Sequence, residues 1–110
     1  MQFHHLGLEV RSLEESVDLY CHSFHFEIEE ILSLGGERIY FLTNDGLRLE
    51  LSESEDAPQM HICFEVNECI DGLPADKEIL RYENGWESCF FRNQDGLLIE
   101  LLKRNEVPSG

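Results

Sequence analysis

An internal repeat constrains this chain more than any other feature. The segment His5-Leu-Gly-Leu-Glu-Val10 returns as His61-Ile-Cys-Phe-Glu-Val66. The segment Asn44-Asp-Gly-Leu-Arg-Leu-Glu-Leu51 returns as Gln94-Asp-Gly-Leu-Leu-Ile-Glu-Leu101. Each half therefore carries a histidine segment followed by a glutamate segment, and the second copy is a few residues shorter. Two matches in the same order mark two copies of one supersecondary unit. A length of 110 residues suits one domain, so the copies are read as modules over 3–51 and 60–102, joined by an acidic linker over 52–59.

Periodicity assigns the elements of each module. Residues 3–10 alternate, with Leu6, Leu8 and Val10 on one face and His5, Gly7 and Glu9 on the other, which predicts a half-buried strand. Ser12 followed by Glu15 forms a capping box. Val17, Tyr20, Cys21 and Phe24 make the apolar stripe of a helix over 13–23. Strands are expected over 26–32, 38–42 and 47–51, with a turn at Gly35-Gly36 and a hairpin at Asn44-Asp45-Gly46. The module is βαβββ. The second repeats it with strands over 60–66, 77–82, 87–92 and 97–102. Its helix, over 67–73, is cut short by Gly72 and Pro74, and the tail over 103–110 is expected to fray.

Alternation also sorts the polar residues. Leu47, Leu49 and Leu51 face away from Arg48 and Glu50. Leu97, Ile99 and Leu101 face away from Glu100, and Ile62, Phe64 and Val66 face away from His61 and Cys63. The leucine faces need a core, which leaves His5, Glu50, His61 and Glu100 on the concave side. If the modules pair about a pseudo-twofold axis, two imidazoles and two carboxylates converge. That set suits Zn, Ni, Co, Mn or Fe(II). A lone histidine or glutamate on a strand is usually no ligand, but recurrence at equivalent places in both modules argues otherwise. His4, His22 and His25 have no counterpart and are read as surface or packing residues. Arg48 either anchors a substrate carboxylate or pairs with a nearby acid such as Glu9. Glu53, Glu55 and Asp56 are read as solvated linker.

Charge and cysteine usage exclude several classes. Eight basic against 23 acidic residues give a net charge of −15, which repels phosphate backbones and anionic lipid, so neither nucleic acid nor membrane is expected as a partner. No apolar run is long enough to span a bilayer and no secretory leader is recognised at the N-terminus, so a cytoplasmic home is expected. Cys21, Cys63, Cys69 and Cys89 show no Cys-x-x-Cys spacing and are read as reduced thiols. Cys63 and Cys89 are placed near the cavity as small packed groups, with a thiol nucleophile as the sharper alternative.

His5-x-Gly-x-x-Val10 with its capped helix, Asp45-Gly-x-x-x-Glu50, His61-x-x-x-x-Val66 and Asp95-Gly-x-x-x-Glu100 together resemble the vicinal oxygen chelate superfamily. That group includes glyoxalase I, methylmalonyl-CoA epimerase, extradiol dioxygenases, and the fosfomycin- and bleomycin-resistance proteins. The resemblance covers 3–102. It implies an α+β fold of two βαβββ modules forming an open cup-like barrel, and a homodimer. It also implies a divalent metal held by His5, Glu50, His61 and Glu100 and chelated by adjacent oxygens of a small-molecule substrate. Dioxygenase-like and thiol-transferase-like members usually offer two His and one Glu, and bleomycin-binding members generally lack the set, so Glu50 points toward glyoxalase I or epimerase chemistry. The expected activity is a lyase or isomerase in which Glu50 or Glu100 takes a proton from carbon next to a metal-chelated carbonyl. The alternatives are metal-independent drug or metabolite binding, and Fe(II) ring cleavage or thiol transfer on the same residues. The linker spans at most about 27 Å, which allows either a site within one chain or modules exchanged between two chains.

Overall fold

The computed structural model describes residues 1–68 and 71–104. The described chain is α+β, and it divides into two compact units, one of residues 5–60 and one of residues 1–4 with the chain from His61 onward. No helix among the described residues is long and apolar enough to cross a membrane.

β1 (Gln2–Val10), which enters the unit of residues 5–60 at His5, leads into α1 (Leu13–Asp18), which is followed by β2 (Glu27–Leu34), β3 (Glu37–Asn44) and β4 (Leu47–Glu53). The strand order here is β2-β3-β4-β1. The outer pairs β2–β3 and β3–β4 are antiparallel, and β1 runs parallel to β4 with Leu6 opposite Leu49 and Leu8 opposite Leu51. A parallel pair cannot be closed by a tight turn, and here α1 and the β2–β3 hairpin supply the crossover. The β3–β4 turn is made by Asp45 at φ 48° and Gly46 at φ 82°, the paired left-handed residues of a type I′ hairpin.

One leucine face becomes the core, as the alternation requires. Leu13, Leu42, Leu49 and Leu51 are buried together, with Leu6, Leu8, Val10, Val17, Tyr20, Cys21, Phe26 and Tyr40 packed against them. The helix differs from its expected extent. Regular α-helix stops at Asp18, and residues Leu19–Ser23 form a π-helical turn. The chain then reverses at His25, with φ 61°, and Phe26 N–H donates to the Tyr20 carbonyl at 3.0 Å. The wider turn rotates Phe24 out of the apolar stripe. It is half exposed, beside the Tyr20 ring, and Phe26, partly buried, packs against the core instead.

A helix this short is marginal on its own, so its caps matter. Ser12 Oγ accepts from Glu15 N–H at 3.2 Å, and Glu53 Oε2 accepts from Leu13 N–H at 2.9 Å. Glu53, exposed as expected, is the last residue of β4 and also caps α1. The strand outlasts its expected end by two residues, which leaves 54–58 as the connection. Glu53→Ala should lower unfolding stability by about 1–2 kcal/mol in urea titration, whereas Glu55→Ala, at an exposed position, should change it by less than about 0.5 kcal/mol.

In the other unit, β5 (Gln59–Glu65), β6 (Glu78–Arg81), β7 (Glu87–Arg92) and β8 (Leu98–Lys103) are ordered β5-β8-β7-β6. The repeat holds in three dimensions: β5 is parallel to β8, and β8–β7 and β7–β6 are antiparallel. Cys63, Ser88, Glu100, Leu101 and Leu102 are buried. The β7–β8 turn is longer than its counterpart and is held by Asn93 Oδ1, which accepts from Asp95 and Leu97 N–H at 3.0 Å each. Arg104 pairs with both carboxylate oxygens of Glu65 and lies over the Trp86 ring. The helix expected over 67–73 lies partly on Cys69 and Ile70, which are outside the described residues. The described part of that segment is bend and turn. Of the tail expected to fray, Lys103 ends β8 and 105–110 lie outside the described residues.

Candidate metal centre

The strand registers explain how each histidine meets its glutamate. Gly7 lies opposite Glu50 across β1–β4, and Cys63 lies opposite Glu100 across β5–β8. Gly7 and Cys63 each stand two residues after the module's histidine. The imidazole and the carboxylate therefore project from one face on adjacent strands, diagonally placed, within reach of long side chains.

In the first module His5 Nε2 lies 3.3 Å from Glu50 Oε2. In the second His61 Nε2 lies 3.0 Å from Glu100 Oε1. His5 and Glu100 are buried, and the Glu50 side chain, at 18% exposure against 7% for Glu100, is the most accessible of the four. Two ligands held about 2.0–2.2 Å from one ion lie about 3.0 Å apart at a right angle and about 3.4 Å apart at a tetrahedral angle. Each His–Glu pair has that separation, with the Nε2 atom and a carboxylate oxygen turned toward one another. The donor set and its spacing fit a divalent metal.

A third position repeats that sequence reasoning missed. Phe41 is the cross-strand neighbour of Glu50, and Phe90 that of Glu100. The Phe41 ring meets His5 edge-on at 5.6 Å and 75°, and the Phe90 ring meets His61 at 5.7 Å and 75°. Edge-to-face contact fixes the imidazole plane. The signal was available as an aromatic one strand before each repeated glutamate, but aromatics on strands ordinarily read as core.

A second missed residue has no repeat. Ser88 is fully buried, and its hydroxyl donates to Glu100 Oε2 at 2.6 Å. Two residues before Phe41, the corresponding place in the first module holds Ile39.

The remaining predicted positions fall as follows. Arg48 Nε donates to Glu29 Oε1 on β2 at 3.0 Å. His22 is exposed beside Asp18, 3.2 Å away, and His4 is buried. Cys63 is buried on the His61 and Glu100 face, with its thiol 3.9 Å from the Phe64 carbonyl. Cys21, Cys63 and Cys89 form no disulfide among the described residues, and Cys69 lies outside them.

The sequence profile of the Glyoxalase/Bleomycin resistance protein/Dioxygenase superfamily matches residues 2–101. The chain belongs to that superfamily. Solved structures share the fold at low identity. A hypothetical protein from Bacillus halodurans C-125 superposes with a TM-score of 0.72 at 19% identity, covering 99% of this chain and 98% of its own. A superfamily member from Vibrio splendidus 12B01 gives 0.67 at 15% identity, covering 93% and 99%. A Streptomyces coelicolor methylmalonyl-CoA epimerase in complex with 2-nitronate-propionyl-CoA gives 0.68 at 24% identity, covering 100% and 99%. No curated protein matches by sequence.

Proposed function

We propose that this protein is a metal-dependent lyase or isomerase that moves a proton on a carbon next to a carbonyl of a small substrate. One observation carries the reading: both modules hold a histidine nitrogen and a carboxylate oxygen at the separation of neighbouring metal ligands, 3.3 Å and 3.0 Å. His5, Glu50, His61 and Glu100 would together hold one divalent ion. Such an ion supplies Lewis-acid charge to two substrate oxygens and makes the adjacent carbon more acidic. The chain's own part is to bind, orient and take the proton. Phe41 and Phe90 hold the imidazoles, and a carboxylate of Glu50 or Glu100 receives the proton. The likeness to epimerases that act on an acyl-CoA supports proton transfer as the chemistry. The net charge of −15 disfavours strongly anionic substrates and supports a small, weakly charged one. A homodimer is part of the proposal on family likeness.

A second reading, a metal-free binding protein, rests on the same pairs. A protonated imidazole satisfies a carboxylate at these distances without an ion.

Metal-loaded protein incubated with hemithioacetals and with 2-oxo and 2-hydroxy acids in deuterated water should introduce deuterium at the carbon beside the carbonyl of at least one of them. No uptake from any, together with ligand binding that survives chelation, would replace the enzyme reading with the binding one. Oxygen consumption with catechols would instead indicate ring cleavage.

A further inference from the structure

The two His–Glu pairs are not equivalent, and the difference sits on Glu100. Its Oε1 is 3.0 Å from His61 Nε2. Its Oε2 accepts a 2.6 Å hydrogen bond from Ser88 Oγ. A serine hydroxyl has one proton to give, and at 2.6 Å it is given to this oxygen. Ser88 is fully buried, so its hydroxyl has no solvent to turn to. It is fixed in turn by the ladder, since Ser88 is paired with Leu102 and its neighbour Cys89 with Leu101. One carboxylate oxygen is thereby kept on the strand side, and the other alone is presented beside the histidine. The first module has no hydroxyl at this place, because Ile39 stands two residues before Phe41 as Ser88 stands two residues before Phe90.

We propose that Ser88 is a positioning residue that locks Glu100 as a one-oxygen metal ligand, acting through Glu100 Oε2. The inference rests on the metal-dependent reading above. The hydroxyl contributes orientation and not coordination, the task of an outer partner that fixes a ligating carboxylate. Without it Glu100 Oε2 loses this anchor, affinity for the ion falls and both oxygens are offered.

The test is chelator competition for Zn(II) and Co(II) on wild type, Ser88→Ala, Ser88→Cys and Ser88→Thr, each alone and with Glu100→Ala. Ser88→Ala and Ser88→Cys should bind about 10–100-fold more weakly than wild type, and Ser88→Thr, which keeps a hydroxyl, should recover most of the loss. In the Glu100→Ala background the Ser88 changes should have no further effect. The visible spectrum of the Co(II) protein should shift toward higher coordination number in Ser88→Ala. A merely structural serine would lower the unfolding midpoint and leave affinity and spectrum alone, and that result overturns the proposal. Ser88→Cys is close in size and covers the case in which alanine does not fold. Wild-type protein that binds neither ion overturns the metal reading itself and this inference with it. Wild type that binds while Ser88→Ala and Ser88→Cys bind equally well overturns only the role of Ser88.

Discussion

His61→Ala protein should bind Zn(II) or Co(II) about 100-fold more weakly than wild type. Structural four-ligand zinc sites are worth about 10–16 kcal/mol in apparent binding free energy, so one ligand of four represents about 3 kcal/mol, or two powers of ten. His5→Ala should cost a similar amount, because His5 occupies the same register relative to Glu50 as His61 does relative to Glu100. The loss in His61→Ala has a structural side as well. Glu100 is buried, and without the imidazole its Oε1 loses the partner at 3.0 Å, although Ser88 still donates to Oε2. Isothermal titration of the apo proteins reads the affinity, and circular dichroism shows whether they are folded. His22→Ala is the control. That residue is exposed next to Asp18, and its removal should leave affinity within about twofold.

Leu51→Ala should destabilise the protein by about 2–5 kcal/mol, most of the stability of a small domain. Leu51 is wholly buried, as is Leu42, and both belong to the cluster with Leu13 and Leu49. Alanine there leaves a cavity bounded by strands on one side and α1 on the other, neither free to close over it. The effect should extend to the site, since Glu50 is the next residue back on β4 and points to the opposite face. Urea unfolding of apo protein should show a lower midpoint with unchanged slope. Metal affinity measured below the transition should fall less than in His61→Ala. Leu47→Ala, at an exposed position on the same strand, should cost under about 1 kcal/mol.

The repeat made most of the strands legible, because period-two alternation places Leu49 and Leu51 inward and Glu50 outward without any tertiary information. The Asp45-Gly46 turn was legible for a similar reason, since few residue pairs accept two left-handed conformations. The helix end was not. Val17, Tyr20, Cys21 and Phe24 fit a regular stripe, but with the π-helical turn over Leu19–Ser23 it is Phe26 and not Phe24 that packs against the core. Glu53 is exposed as expected, but its capping role was not legible, because its bond to Leu13 N–H depends on where α1 begins relative to the end of β4. Ser88 was invisible for the complementary reason. A single serine on a strand carries no pattern, and its importance arises from the β7–β8 register that brings it to Glu100.

The proposed centre has the two His–Glu pairs serving one ion. Elemental analysis of protein purified without chelators and then saturated with Zn(II), Ni(II), Co(II), Mn(II) or Fe(II) measures this directly. The predicted result is one tightly held divalent ion per chain, lost from His5→Ala and His61→Ala alike. Two ions per chain, with each variant retaining one, would mean that the pairs act separately. No retained metal under any loading condition would contradict the metal centre altogether.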